Sequence, residues 1–274
     1  MYKVKKRIRT SQVILNVIIV LLFIMALYPL AMALWSSFKS PAQYASNKWL
    51  PTFPLRSENI GMAYDKVDGY MLKTVIVALL TTALMLVVST MAAFSISKLN
   101  FIGSKFMFAL ILAVNMVPGV LTLVPVVMLY HNLGLNDTIW ALVLPGTFST
   151  STVFLLVSSY KGIPNSMFEA AEIDGAGDFK KYTLIGLPLV LPIIATLAIM
   201  QISGTWSDFG WPMLIMTKEN YTIAAGLKAE FYDNTTDMPV TFAAYLIASI
   251  PLILLFFFTN RVYVEGIVSS GIKL

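Results

Sequence analysis

Apolar residues in this chain do not alternate with polar ones; they come in long blocks. Six stretches are almost wholly apolar: Val13–Leu34, Leu72–Phe94, Phe106–Tyr130, Thr138–Val157, Leu187–Trp206 and Thr241–Asn260. None has an Asp, Glu or Arg in its interior, and Lys73 lies at an end where its ammonium can snorkel to water. A bilayer core requires about 20 such residues per helix. Strands of a barrel would alternate apolar and polar positions, so the blocks predict helices. The expected fold class is all-α integral membrane with six transmembrane helices. One membrane domain over 13–260 is the simplest division, with a basic head at 1–12 and a tail at 261–274.

Composition strengthens that picture. The 274 residues are 58% hydrophobic and only 12% charged, whereas soluble domains carry about 25% charged residues. Mean hydropathy is +0.78. The net charge is +5, but its placement matters more. Lys3, Lys5, Lys6, Arg7 and Arg9 precede the first block without an acid among them. That block is too long for a signal-peptide core and no small-residue cleavage site follows it, so it reads as a retained span with its N-terminus inside. The segments this places inside hold twelve of the nineteen basic residues, and the longer outer segments hold seven. Trp35, Trp140, Trp206 and Trp211 fall near the predicted outer ends, where indole rings favour the interface. Both termini are expected in the cytoplasm. Ser36–Met71 and Ser207–Val240 become long outer segments, and 159–186 a long inner loop.

Absent chemistry narrows the function. There is no cysteine, so disulfides, thiolate metal sites and cysteine nucleophiles are excluded. No G-x-x-x-x-G-K-[ST] loop occurs, so the chain does not hydrolyse ATP through that motif. His131 is the sole histidine and reads as a polar residue at the outer interface, which leaves no multi-histidine metal site. The carboxylates that proton- and ion-coupled carriers bury in mid-membrane are missing from all six blocks. A membrane enzyme lacks a nucleophile–base pair. A self-sufficient carrier of a neutral polar solute is the alternative to a transporter driven by another subunit.

The inner loop contains "IPNSMFEAAEIDGAGDFKKYTLIGLPLVLP". Pro164 stops a helix continuing from the fourth span. Ser166 and Glu169 have capping-box spacing, good helix formers follow, and Gly175 sits where a left-handed residue ends a helix. The spacing predicts a short helix stopped at both ends. Either it tidies a surface loop, or its small residues Ala170, Ala171, Gly175, Ala176 and Gly177, flanked by Met167, Phe168 and Ile173, fit a groove on a soluble partner.

Glu169-Ala170-Ala171, Asp174-Gly175-Ala176 and Ile185-x-Leu187-Pro188 ending at Pro192 resemble the EAA loop of binding-protein-dependent ABC importer permeases. "LGLNDTIWALVLP" (Leu133–Pro145), "GTWSDFGWP" (Gly204–Pro212) and the tail "NRVYVEGIVSSGIKL" are similar to the carbohydrate-uptake branch, in particular the smaller permease subunit of maltose-type transporters. Ser207, Asp208, Glu265, Ser269 and Ser270 depart from that branch's usual residues. The resemblance implies a type I importer permease fold and a coupling helix held in a cleft of a cytoplasmic ATPase dimer. Glu169, Ala170, Ala171, Asp174, Gly175 and Ala176 are then its docking residues. It also implies a homologous second permease subunit, an extracytoplasmic solute-binding protein, a carbohydrate substrate and a bacterial cytoplasmic membrane. No nucleic acid is involved. No cofactor is expected on this chain, with ATP and magnesium on the ATPase.

A path for sugars requires hydrogen-bonding groups and apolar surfaces rather than charge. Candidates are Asn115 and Met116 beside Pro118-Gly119, where the helix must distort and expose backbone carbonyls, then Thr147, Ser149, Thr150, Ser151 and Thr152 after Pro145-Gly146, and Gln201 and Ser203. The competing reading has these groups satisfy carbonyls of their own helices or join helices together.

Overall fold

The computed structural model describes residues 10–99, 101–232 and 237–271. Basic residues Lys3, Lys5, Lys6, Arg7, Arg9 and Lys273 of the orientation argument lie outside them, as do the side chains of 260–271. The described residues form helices and no strand. In chain order these are α1 (Thr10–Ser36), α2 (Pro41–Ser46), α3 (Glu58–Lys98), α4 (Ser104–Asn115), α5 (Gly119–Asn132), α6 (Ile139–Val143), α7 (Thr150–Lys161), α8 (Asn165–Ile173), α9 (Asp178–Lys180), α10 (Leu187–Ser207), α11 (Gly210–Ile215), α12 (Ile223–Phe231) and α13 (Met238–Gly271). A π-helical segment, Lys181–Gly186, joins α9 to α10.

Five stretches are long and apolar enough to cross a membrane: Gln12–Ser36, Glu58–Lys98, Ile139–Lys161, Asp178–Ser207 and Met238–Thr259. The expected third span, Phe106–Tyr130, is not one straight helix. It is α4 and α5, bent by 96° at the break between Asn115 and Gly119. Pro118 cannot donate a backbone hydrogen bond and disfavours helical backbone at Val117, which ends α4. Counting the bent pair as one span makes six. The fourth span is also interrupted. Leu144–Gly146 tightens into a 3-10 turn, and Ser149 restarts the helix by accepting the Thr152 N–H at 3.2 Å. The segment Ser36–Met71, read as outer loop, already carries the first turns of α3.

The chain folds as two compact units, Met1–Val67 with Glu230–Ser249, and Asp68–Ala229 with Ile250–Leu274. In the first, the most apolar 18-residue window of α1 includes no buried residue. The connection after α1 is organised by polar groups. Asn59 Nδ2 donates to the Ser37 and Lys39 carbonyls, both at 2.8 Å. The buried Lys39 donates from Nζ to the Asn47 carbonyl at 2.7 Å. Ser40 and Gln43 form a capping box at α2, with Pro41 in the first turn where its missing N–H costs nothing.

The second unit holds the larger core. Ala93 and Phe94 of α3, Ile111 of α4, Val153, Leu156, Val157 and Tyr160 of α7, Phe168 of α8, Tyr182, and Val190 and Leu197 of α10 form one buried cluster. A second cluster joins Val77, Tyr130, Ala141, Leu142, Val143 and Ile215.

Candidate functional site

Every residue of the site lies in the second unit. Helix α8 begins at Asn165, two residues earlier than the capping-box spacing suggests. Pro164 stands at the N-cap and makes no side-chain cap. Ser166 is therefore inside the helix, and the Ser166–Glu169 capping box does not form. The rigid φ of Pro164 starts the helix before a serine cap is needed. The Glu169 carboxylate is exposed and has no hydrogen bond or ion pair to any described residue.

The other end is built as the sequence indicates. Gly175 has φ +78°. Its N–H donates to the Glu172 carbonyl at 3.0 Å, and the Ala176 N–H to the Ala171 carbonyl at 2.8 Å. These two bonds are the Schellman pattern, which satisfies the last carbonyls and needs a residue comfortable in left-handed backbone. A Cβ on Gly175 would meet nothing within 4 Å, so its surface is open. Glu169, Ala170, Asp174 and Gly175 are exposed, Ala171 and Ala176 half-exposed, and Ile173 is 88% exposed. Only Phe168 of α8 is buried. The loop thus turns one aromatic inward and leaves its small and acidic residues outward.

Three residues absent from the sequence-based site brace the far side of the loop. Lys181 pairs with Glu172 at 2.9 Å and Asp178 at 3.1 Å. Glu172 is therefore engaged within the loop while Glu169 is free. The loop also rests on one face of α3, through residues four apart that share a helix face. Thr90 Oγ1 and the Tyr182 hydroxyl are 2.8 Å apart. The Phe94 ring contacts Tyr182, Tyr160 and Phe168 at centroid distances of 5.4, 5.6 and 5.9 Å. Lys98 Nζ donates to the Ile163 carbonyl at 2.7 Å and to Asn165 Oδ1 at 2.8 Å. Gly186 completes the seat, since a Cβ there would stand 3.2 Å from the rings of both Phe94 and Tyr160.

The solute-path candidates separate into groups. Asn115 Oδ1 accepts from Thr150 Oγ1 at 3.0 Å and Ser151 Oγ at 2.9 Å, tying the break in the third span to the start of α7. Met116 beside them is 83% exposed. Thr147 donates to its own turn at the Leu144 carbonyl, 2.7 Å away, Ser149 caps α7, and Thr152 donates to Met85 Sδ. Gln201 belongs elsewhere. It lines a cavity of about 300 Å³ with Thr81, Gly146, Thr205, Asp208 and Trp211. Ser203 is half-buried and outside that lining. A Cβ on Gly146 would collide with the Thr81 methyl and approach Gln201 Nε2 to 3.2 Å, so only glycine lets these helices meet. Thr81 Oγ1 is buried there without a hydrogen-bond partner.

A polar clamp that sequence reasoning missed lies beside Lys73 of α3. Asp137, in left-handed backbone at φ 59°, accepts from the Thr217 N–H at 2.8 Å and hydroxyl at 2.9 Å, and from Asn220 Nδ2 at 3.0 Å. The Thr217 N–H is the main cause that holds this carboxyl below the usual aspartate range; partial burial opposes it, and Asn220, the Thr217 hydroxyl and the Lys73 charge assist. Lys73 Nζ donates to Asn220 Oδ1 at 3.0 Å and also to the Glu219 carbonyl. Asp137 stands inside "LGLNDTIWALVLP", but nothing local in that stretch names Thr217 as its partner.

Residues 85–268 match the family described as binding-protein-dependent transport system inner membrane component. The probable ABC transporter permease protein YurM of Bacillus subtilis (strain 168) is 32% identical over 251 residues, spanning 90% of this chain and 83% of that one. The maltodextrin transport system permease protein MalD of Streptococcus pneumoniae is 28% identical, spanning 98% of each chain. A bacterial ABC transporter involved in the import of the acidic polysaccharide alginate has a chain of the same fold, with a TM-score of 0.81 at 19% identity over 95% of this chain and 98% of that one.

Proposed function

This chain belongs to the inner membrane components of binding-protein-dependent transport systems, and on that premise we propose that it is the permease subunit through which an oligosaccharide is imported at the expense of ATP hydrolysed elsewhere. It is a transport subunit, not an enzyme. Relatives named for maltodextrin and arabinooligosaccharide transport support a carbohydrate cargo. The observation that carries the coupling role is α8. It is a short helix ended by a Schellman turn, with Glu169, Ala170, Asp174 and Gly175 exposed and unencumbered and Phe168 anchoring it from behind. An ATPase cleft that accepts small residues fits this face. ATP and magnesium belong to that ATPase.

Its other partners are a homologous permease subunit and an extracytoplasmic solute-binding protein. Helix α1 supports the former, because an apolar helix uncovered by its own chain must be covered by lipid or by a second subunit. Both termini are cytoplasmic on the charge asymmetry, which places α8 inside and the Asp137 clamp outside. The cavity at Gln201 and the exposed Asn115–Thr150–Ser151 group supply hydroxyl and amide groups suited to sugar.

The test is reconstitution of the chain with its permease partner and ATPase in proteoliposomes, followed by uptake of labelled maltodextrins and arabino-oligosaccharides. Uptake that requires both internal ATP and external binding protein is the expected result. Uptake by this chain alone, without either, would refute it.

A further inference from the structure

The α3 span stands apart from every other apolar span. Pro29 interrupts α1, Pro118 and Pro125 the third span, Pro145 the fourth, Pro192 α10 and Pro251 α13. From Thr74 to Lys98, α3 has neither proline nor glycine. Prolines are the usual places where helices bend. At a rise of 1.5 Å per residue this uninterrupted stretch is about 36 Å long, more than the hydrocarbon thickness of a bilayer.

Both ends of that stretch are held by side chains. At one end Thr90, Phe94 and Lys98 seat the loop that carries α8, through the Tyr182 hydroxyl, the Phe168 ring and the Ile163 carbonyl. At the other, Thr74 Oγ1 accepts the Ile223 N–H at 2.7 Å, and Lys73 holds Asn220. Tyr70, one turn earlier, packs so closely under Gly226 that a Cβ there would stand 2.6 Å from the ring Cγ. The covalent route from α8 into the membrane is softer. It passes through the π-helical segment Lys181–Gly186 and then Pro188 and Pro192, and prolines and π-helical turns are where helices kink.

We propose that α3 is a rigid strut joining the α8 loop to the segment Thr217–Gly226, so that nucleotide state at the ATPase is transmitted to the opposite membrane face along this helix. Phe94 and Thr74 are its positioning residues. The proposal rests on the reading of α8 as the ATPase contact. Displacement of α8 moves Phe168 against Phe94, and α3 carries the displacement because no proline or glycine between Thr74 and Lys98 offers a kink. The Ile223 N–H and Asn220 then follow Thr74 and Lys73.

The chain contains no cysteine, so Glu219→Cys, labelled with an environment-sensitive fluorophore in a complex with cysteine-free partners, reports on the far end alone. Magnesium and the non-hydrolysable analogue AMP-PNP are the probe. We expect an emission change in the otherwise unaltered complex, reduced about fivefold or more by Phe94→Ala and equally by Thr74→Val. The double variant should be no worse than either single one, because both interrupt one path. Leu156→Ala, which hollows the same buried cluster without removing a side chain that α3 offers to the loop or to Thr217–Gly226, should keep the response. A response that survives Thr74→Val or Phe94→Ala, or that Leu156→Ala abolishes equally, overturns the strut. So does a silent label in a complex that retains its ATPase, and in that case the α8 reading stands. Failure of the ATPase to co-purify with the unaltered chain overturns both.

Discussion

Gly175→Asp separates docking from folding. In this chain the substitution has room, since a Cβ at 175 meets nothing within 4 Å. Its internal cost comes from backbone and charge. The left-handed φ of +78° costs a non-glycine residue about 1–2 kcal/mol, with Asp and Asn at the low end. A carboxylate beside the exposed carbonyls ending α8 adds about 0.3–1 kcal/mol. The sum, about 2 kcal/mol, is smaller than the roughly 5–15 kcal/mol that holds a domain together. The variant should therefore insert and purify as a monodisperse permease. What it should lose is the ATPase, because the new side chain projects from the face offered to the cleft. The assay is the ratio of ATPase to permease after detergent purification, read together with uptake in proteoliposomes. Gly175→Asn carries the same backbone cost without the charge and should retain more ATPase than Gly175→Asp. A full ATPase complement and normal uptake in Gly175→Asp would refute the docking argument.

Three further outcomes follow from other parts of the molecule. Uptake should persist when a protonophore is added at constant ATP, and immediate collapse would favour a self-sufficient carrier. Gly146→Ala should lower thermal stability, by about 1–3 kcal/mol for an overpacked contact, because Thr81 and Gln201 leave no space for a Cβ; a differential-scanning measurement with no change would contradict that packing. The Asp137 clamp should depend on pH in one direction. Its carboxyl is depressed in the folded protein, so its stabilisation is present above the ordinary aspartate value of about 3.9 and is lost as pH falls through the depressed one. Amide exchange at Thr217 should accelerate only at that acid extreme. Asp137→Asn should accelerate it at neutral pH and remove the dependence.

Much of this protein was legible in its sequence because the physics involved is local. A block of apolar residues has one stable outcome in lipid, a hydrogen-bonded helix, so five stretches and the bent pair appear where hydropathy places them. The end of α8 at Gly175 was equally readable, since left-handed backbone selects glycine within a few residues of chain. The start of α8 was not. Pro164 and Ser166 both suit a helix N-terminus, and the competition was decided in favour of the proline.

Everything that depends on which helix lies beside which was decided by tertiary structure. Thr147, Ser149, Thr150 and Ser151 are alike as letters, yet the first two bond within their own segment and the last two reach Asn115. The distortion at Pro118-Gly119 was legible, but its size, 96°, was not, nor that Pro125, seven residues on, sits inside a helix. Phe94 and Lys98 read as core and inner charge until the fold sets Phe168, Tyr182 and Asn165 against them. Periodicity names the face a residue occupies; only packing names the partner, because the partner comes from a distant part of the chain.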